Sequence, residues 1–397
     1  MHFRELEQRI SATLAKTPLD QEIVIRACGR LSEQITAGFY EKKLEESGLA
    51  GTLPGRWLAE AASMLSAETL RERVRRELSA AEGILVMPLG VLLHVGAGNM
   101  AGIGAFSVME GLLTGNINLL KLPENGDLIS AFLLREVIRL EPELEEYIYT
   151  FRIPSSNQRA LSRLLSLSDG AAVWGSESAV AGIRSLAPSA VRLTEWGHRL
   201  SFAYVTGRGS RDKAALAALA RHMVETGQVL CSSCQGIYLE ADEEEARRFC
   251  LHFRDLLEEA YMEFGNQDAA CLGRNTIEVL HKELESAQTG DWICRGRGVS
   301  VTLSSNRELE LSLMYGNCWV KRMNRGALTE TLRKSRGCLQ TAVLICGEEE
   351  EKASISTLAR AGVTRIVRGK KLEEPAALMT HDGEYPLLRY VKLVEID

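Results

Sequence analysis

Apolar residues in the first 80 positions recur at helical spacing. Phe3, Leu6, Ile10 and Leu14 form one stripe, and Ile25, Cys28, Leu31 and Ile35 form another. Steps of three and four put side chains on one face of a helix. Gly48 to Pro54 breaks the pattern, and a charged helix follows from about Ser66 to Ser79. Residues 1–82 therefore read as a helical region with no evident chemistry. At Gly83 the pattern changes to short apolar runs stopped by small residues: 84–87, then Val91 to Val95 ending in Gly96-Ala97-Gly98-Asn99. A helix is expected over about 102–114, a strand over 117–122, a helix over 127–140, and strands over 147–153, 171–174, 191–193 and 202–205. Strands alternating with helices across short glycine turns imply a parallel α/β sheet wound like a Rossmann fold. From about Ser210 a second α/β unit is expected. It has helices over 214–224 and 243–264, strands over 236–239, 300–303, 318–322, 340–346 and 364–367, and an extended tail over 387–396.

This reading divides the chain into a helical region (1–82), a Rossmann-like domain (83–208), a second α/β domain (209–370) and a tail (371–397). A chain of 397 residues has room for two or three domains. A net charge of -6 with no long basic run argues against nucleic acid as the main partner. The runs Asp242 to Glu245 and Glu348 to Glu351 are short and read as helix starts or turns. No apolar stretch of about 18 residues predicts a membrane span. The first 16 residues are too charged for a secretory signal. With those two readings, an odd set of nine irregularly spaced cysteines points to reduced thiols and a cytoplasmic protein.

Five places can carry chemistry. His94-Val-Gly-Ala-Gly-Asn99 lies at the carboxyl end of a parallel strand, where ligands bind, and Asn99 adds an amide donor; the plain alternative is a tight turn with a structural Asn. Lys121-Leu-Pro-Glu124 ends the next strand and can hold the ribose of a dinucleotide, or be a charged surface loop. Gly175-Ser176 starts a helix, which suits a phosphate or nicotinamide contact, or simply an N-cap. Glu195 in Glu-Trp-Gly is a candidate general base, or a solvated turn residue. In Gly227-Gln-Val-Leu-Cys231-Ser-Ser-Cys234-Gln235, Cys231 is a candidate nucleophile. The Cys-x-x-Cys spacing also permits zinc, a redox disulfide, or a buried thiol pair. Zinc needs two more ligands at motif spacing, and none is evident.

The five features stand in one order and at one set of spacings, and together they resemble the aldehyde dehydrogenase superfamily. Within it they are most similar to the LuxC-type acyl-CoA reductases. The likeness rests on His94 to Gly104, Gly111 to Lys121 and Gln228 to Gln235. His381-Asp-Gly383 and Leu387 to Tyr390 add to it. It covers roughly residues 83–397. It implies an aldehyde dehydrogenase-like fold with a Rossmann-type cofactor domain, a catalytic thiol domain and an N-terminal helical region. It assigns the catalytic thiol to Cys231, oxyanion stabilisation to Asn99 and a base to Glu195. Lys121 then reaches the adenosine ribose, and Gly175 and Ser176 lie beside the coenzyme pyrophosphate. No metal is implied.

The reaction implied is reduction of an acyl-CoA or acyl-protein thioester to an aldehyde, with NADPH or NADH. A homo-oligomer is expected, with 387–396 as a strand pairing to a second copy, and an acyl-transferring protein is a further possible partner. Two other readings remain: an aldehyde dehydrogenase working oxidatively with Glu195 activating water, and a non-catalytic scaffold. The sequence departs from the superfamily twice. The usual Glu-x-Phe-Gly-Pro motif is missing, and residues 313–322 stand roughly where it falls. Glu124 follows Lys121 where NADPH users commonly carry a small hydroxyl residue, which points towards NADH.

Overall fold

The computed structural model describes residues 3–49, 57–98, 101–124, 127–265, 269–372 and 380–397. The chain divides into two compact units, Met1–Gly197 with Pro375–Asp397, and His198–Glu374. The first boundary comes earlier than the 208/209 division expected from the sequence. The apolar run after Arg199 is a strand of the second unit's sheet.

Six strands in the first unit precede that boundary: β1 (Ile84–Pro88), β2 (Val91–Val95), β3 (Ile117–Lys121), β4 (Ile148–Phe151), β5 (Gly170–Trp174) and β6 (Arg192–Trp196). All but β1 form a parallel sheet in the order β4-β3-β2-β5-β6. Strand order reverses between β2 and β5, the switch point at which open α/β sheets bind ligands beyond their carboxyl ends. All five residues of β2 and of β3 are buried, as expected for parallel strands covered on both faces. The helices Phe3–Leu14, Gln21–Thr36 and Trp57–Leu65 share this unit's core. Leu6, Ile10, Ile25, Cys28, Leu31 and Ile35 are buried as their spacing predicts, while Leu14 is exposed. Ser66 caps the helix Ala67–Glu77 by accepting from the Thr69 amide.

The second unit contains β7 (Leu200–Val205), β8 (Cys234–Leu239), β9 (Trp292–Arg295), β10 (Ser300–Ser304), β11 (Asn317–Arg322), β12 (Leu339–Ile345) and β13 (Arg365–Arg368). Their order is β13-β12-β7-β8-β11-β10-β9, parallel except for β9 at the edge. Helices Lys213–Glu225 and Glu243–Phe264 cover one face, and Arg325–Arg333 and Glu348–Ala361 the other. Both acidic runs start helices. Asp242 and Glu245 form a reciprocal capping box, and Glu350 accepts from the Gly347 amide. The sequence reading assigned nothing to residues 269–289. They form a long helix, Ala269–Thr289, that leaves Ile277, Leu280 and Leu284 exposed.

The tail returns to the first unit. It was expected to be extended throughout, but Pro386–Arg389 is a helical turn, and only β14 (Val391–Glu395) is a strand. Pro386 supplies the fixed φ of a first helical residue. β14 pairs antiparallel with β1, Pro88 opposite Val391 and Ile84 opposite Glu395.

Gly111 lets the helix Ile103–Leu113 lie close to β3, because a Cβ there would stand 1.9 Å from Asn118 Oδ1. Overpacking costs about 1–3 kcal/mol. Gly111→Ala should lose about that much in urea unfolding. Gly182→Ala, in a helix where a Cβ meets nothing within 4 Å, should be neutral or gain up to about 1 kcal/mol.

Candidate active site

The carboxyl edge of the first sheet carries the coenzyme candidates. β2 ends at Val95, and Gly96 to Gly98 follow; Asn99 lies outside the described residues. Asp127 ties this edge together by accepting from the Gly102 amide at 3.2 Å and the Ser130 amide at 2.9 Å. Lys121, the last residue of β3, is buried, and its Nζ donates to Ser155 Oγ at 3.2 Å. Burial pulls its pKa down, and Glu124 partly offsets this. Glu124 is exposed and accepts from the Ser155 amide at 2.6 Å, which holds its carboxyl below the usual range. Ser155, just past β4, thus bridges the two candidates. It lies in a different turn from the Lys-x-x-Glu motif, so the motif did not reveal it.

Gly175 donates its amide to the Trp196 carbonyl at 3.3 Å. Ser176 is the N-cap of the helix Glu177–Leu186, accepting from the Ala179 amide at 3.3 Å. Glu195, on β6, is engaged by Arg184 from that helix. Arg184 Nε lies 2.9 Å from one carboxylate oxygen, and a terminal nitrogen holds the other. Alternation along the strand sends Trp196 to the opposite face, where it packs on His381 with ring centroids 4.5 Å apart. His381 also contacts Trp174, at 4.9 Å. This aromatic cluster at the ends of β5 and β6 was not read from the sequence, because His381 is nearly two hundred residues away in the chain.

His94 does not face the ligand edge. It is fully buried, with Nδ1 2.7 Å from Ser107 Oγ and Nε2 2.9 Å from Asn118 Oδ1. The Asn118 amide group donates to the carbonyls of Asn116 and Tyr147, so its oxygen faces the ring. His94 Nε2 therefore carries the hydrogen, and Nδ1 accepts from Ser107. Trp174 Nε1 completes the set by donating to Ser107 Oγ at 3.1 Å.

In the second unit, Cys231 lies in the turn between the helix Lys213–Glu225 and β8. It is half-buried, and its carbonyl accepts from Ser201 Oγ at 2.6 Å. Cys234 opens β8 and is fully buried, and burial pushes its thiol up to about 12. Cys231 and Cys234 are both unbridged by disulfide. Among the described residues, no group of three or more His, Cys, Asp or Glu is placed to hold a metal ion. Gln228 and Gln235, which flank the turn, are buried.

Two α/β sheets with these strand orders, a glycine-rich strand end in one and a cysteine turn at the head of a strand in the other, make up the aldehyde dehydrogenase fold. Lactaldehyde dehydrogenase from Escherichia coli superposes with a TM-score of 0.69 at 16% identity, over 99% of this chain and 89% of that one. Glyceraldehyde-3-phosphate dehydrogenase from Methanocaldococcus jannaschii, solved with NADP, gives 0.75 at 11% identity, over 100% and 94%. The model of the acyl-CoA reductase (LuxC) family matches residues 60–393, and the chain belongs to that family. A long-chain acyl-protein thioester reductase from Vibrio harveyi is 22% identical over 321 residues, 78% of this chain. The match spans 65% of that relative's length.

Burial pushes the His94 pKa down to about 4, against about 6.5 in an unfolded chain. A lowered folded-state pKa means that the unfolded chain takes up the proton first. The stability from a neutral His94 is therefore complete above about pH 6.5 and falls as pH drops towards 4, by about 1.4 kcal/mol per pH unit. Urea unfolding at pH 7.5, 6 and 5 should show that slope in the difference between the parent and a His94 variant. His94→Gln should be less stable at pH 7.5 and flatter by one proton's worth below pH 6.5.

Proposed function

We propose that this chain reduces an acyl thioester to an aldehyde through an acyl group held on Cys231. The observation that carries this reading is the contrast between the two thiols of the turn. Cys231 is only half-buried, while Cys234 is sealed in the core with its thiol pushed up to about 12. The family and the named relative favour a thioester as substrate. The donor is coenzyme A or a protein thiol.

Cys231 attacks the thioester carbonyl as thiolate. The tetrahedral oxyanion collapses, the carbon–sulfur bond to the donor breaks, and the donor leaves as a thiol after taking up a proton. Asn99 and the Cys231 amide are the proposed oxyanion donors, a contribution of a few kcal/mol in such sites. The covalent link holds the acyl carbonyl in place for reduction. Addition of hydride gives the alkoxide of a thiohemiacetal on Cys231, whose collapse releases aldehyde and the thiolate.

A nicotinamide coenzyme, when bound, supplies the hydride. The first unit's carboxyl edge suits such a group. An ammonium and a carboxylate, joined through Ser155, can meet ribose hydroxyls. The start of the helix after Gly175 and Ser176 offers amides to a diphosphate. Glu195 is the proposed base, but Arg184 engages its carboxylate.

A second copy of this chain is the proposed assembly partner. The β1–β14 ribbon leaves Leu85, Leu393 and Ile396 exposed for it. An acyl-transferring protein is the proposed supplier of substrate, and the cytoplasm is the proposed setting. No helix among the described residues is long and apolar enough to cross a membrane.

Incubation with NADPH or NADH and a panel of acyl-CoAs should yield aldehyde. Cys231→Ala should abolish both turnover and the acyl adduct seen by mass spectrometry, whereas Cys234→Ser should keep most of each. An adduct mapped to Cys234 would reverse the assignment.

Glu124 sets the proposed coenzyme preference, towards NADH. A carboxylate can accept from both hydroxyls of the NADH ribose but repels the extra phosphate of NADPH. Solvent and Lys121 screen that repulsion in part, because Glu124 is exposed. Glu124→Ser should move the ratio of kcat/KM values towards NADPH. A parent that strongly prefers NADPH, with a ratio unmoved by the substitution, would mean that Glu124 does not face the ribose.

A further inference from the structure

The turn that carries Cys231 is closed by two crossed carboxamides. Gln228 Nε2 donates to the carbonyls of Cys234 at 3.2 Å and Gln235 at 3.4 Å. Gln235 Nε2 donates back to the Gln228 carbonyl at 2.8 Å and to that of Ser233 at 3.4 Å. Each glutamine thus grips the backbone of the other, with Cys231 between them. Their oxygens turn to a second loop. Gln228 Oε1 accepts from the Gly316 amide at 3.1 Å. Gln235 Oε1 accepts from the amide and the hydroxyl of Ser312 at 3.1 and 3.0 Å. Ser312 Oγ also lies 3.1 Å from Gln228 Nε2, so it touches both side chains.

The two segments joined in this way are both held in unusual backbone conformations. Gly227 and Gln228 have φ of 56° and 61°, and Met314, Tyr315 and Gly316 have 61°, 50° and 89°. Left-handed backbone at non-glycine residues persists only where the surroundings enforce it, and it gathers at functional sites. The enforcing contacts are visible. The Tyr315 amide donates to the Gly227 carbonyl at 3.1 Å, Asn317 Nδ2 reaches the Met314 carbonyl at 2.8 Å, and the two glutamines supply the rest.

We propose that Gln228 and Gln235 are positioning residues for Cys231, and that through Ser312 they make its reactivity depend on the 312–316 loop. This rests on Cys231 being the nucleophile. The geometry explains why the residues are glutamines. A carboxamide presents donors and an acceptor on one plane, so it can stand in for a neighbouring peptide group. A glutamate of the same shape has acceptors only and at either position would face two carbonyls. The clamp fixes the direction of the Cys231 amide and the exposure of its sulfur without touching substrate.

The test uses the full chain with Gln228→Glu, Gln235→Glu and Ser312→Ala. Three quantities are read: the thermal midpoint, the rate at which iodoacetamide alkylates Cys231 between pH 5 and 9, mapped by peptide mass spectrometry, and kcat and KM for dodecanoyl-CoA. The glutamate variants should alkylate at least tenfold more slowly at neutral pH, with a shifted pH profile. Their kcat should fall similarly, with KM within about twofold. Ser312→Ala should show the same changes at about threefold, with a midpoint close to the parent. Should the glutamate variants fail to fold, Ser312→Ala decides the matter alone. Folded variants with the parental alkylation rate, pH profile and kcat would overturn the proposal. Cys231→Ser separates the two readings. If it still makes aldehyde, the nucleophile assignment fails, while the alkylation of Cys231 in the clamp variants, which needs no turnover, still judges the clamp.

Discussion

Residues 226–233 lie where a helix has ended and a strand has not begun. The amides of Thr226 and Gly227 still bond back to the helix, and those of Val229 and Ser233 make local turn bonds. The carbonyls of Gln228, Cys231 and Ser233 have no ladder to join, and Gln228 and Ser233 are out of water. Buried amides and carbonyls left unpaired cost about 1–3 kcal/mol each. The second unit meets this constraint with side chains: Gln228 and Gln235 across the turn, Ser201 from β7 beneath Cys231, and Ser312 from the facing loop. Ser201 also accepts from the Thr341 amide at 3.0 Å, so β12 is tied to the same turn. The full burial of Cys234, and the partial burial of Cys231, follow from where β8 starts.

Much of the fold was legible because burial on both faces leaves continuous apolar runs bounded by glycine, and those runs mark parallel strands wherever they occur. The same property hides sheet membership. Phe202 to Val205 reads alike in either sheet, and only pairing with β8 and β12 assigns it to the second. The helix Ala269–Thr289 was missed because apolar residues such as Ile277 and Leu284 face outward, while its inward face carries few apolar residues, Leu272 and Val279 among them. The tail's helical turn is local, set by Pro386, and was lost in an apolar run that continues into β14.

The candidate site was legible as a set of positions, less so as a set of roles. The likeness assigned the thiol to Cys231 rather than Cys234; the start of a buried strand adds that Cys234 is sealed. Lys121 and Glu124 were read as a pair, but Ser155, which joins them, comes from the next strand's end. Glu195 was read from its turn, whereas its carboxylate meets an arginine on a helix whose facing no local pattern fixes. His94 opens the most recognisable motif of the chain, yet it points inward, and Ser107 and Asn118 make it part of the core's hydrogen-bond network.

The ribbon of β1 and β14 also has a temporal meaning. The first unit is discontinuous, with the whole second unit lying between Gly197 and Pro375. Its late segment is not an ornament. Asn116 Nδ2 donates to the Tyr390 carbonyl at 2.9 Å, and Glu77 receives the Leu387 amide at 2.9 Å. Glu77 is itself paired with Arg73, which also holds Glu110. During synthesis, the helices and parallel sheet of the first unit leave the ribosome with these partners still unmade. The second unit, continuous in the chain, can complete its sheet first. A nascent first unit therefore waits, with its β1 edge unpaired and Asn116 and Glu77 each short of one partner, until residues near 390 emerge. An unpaired strand edge is a template for wrong pairing, and β1 presents one until β14 closes it.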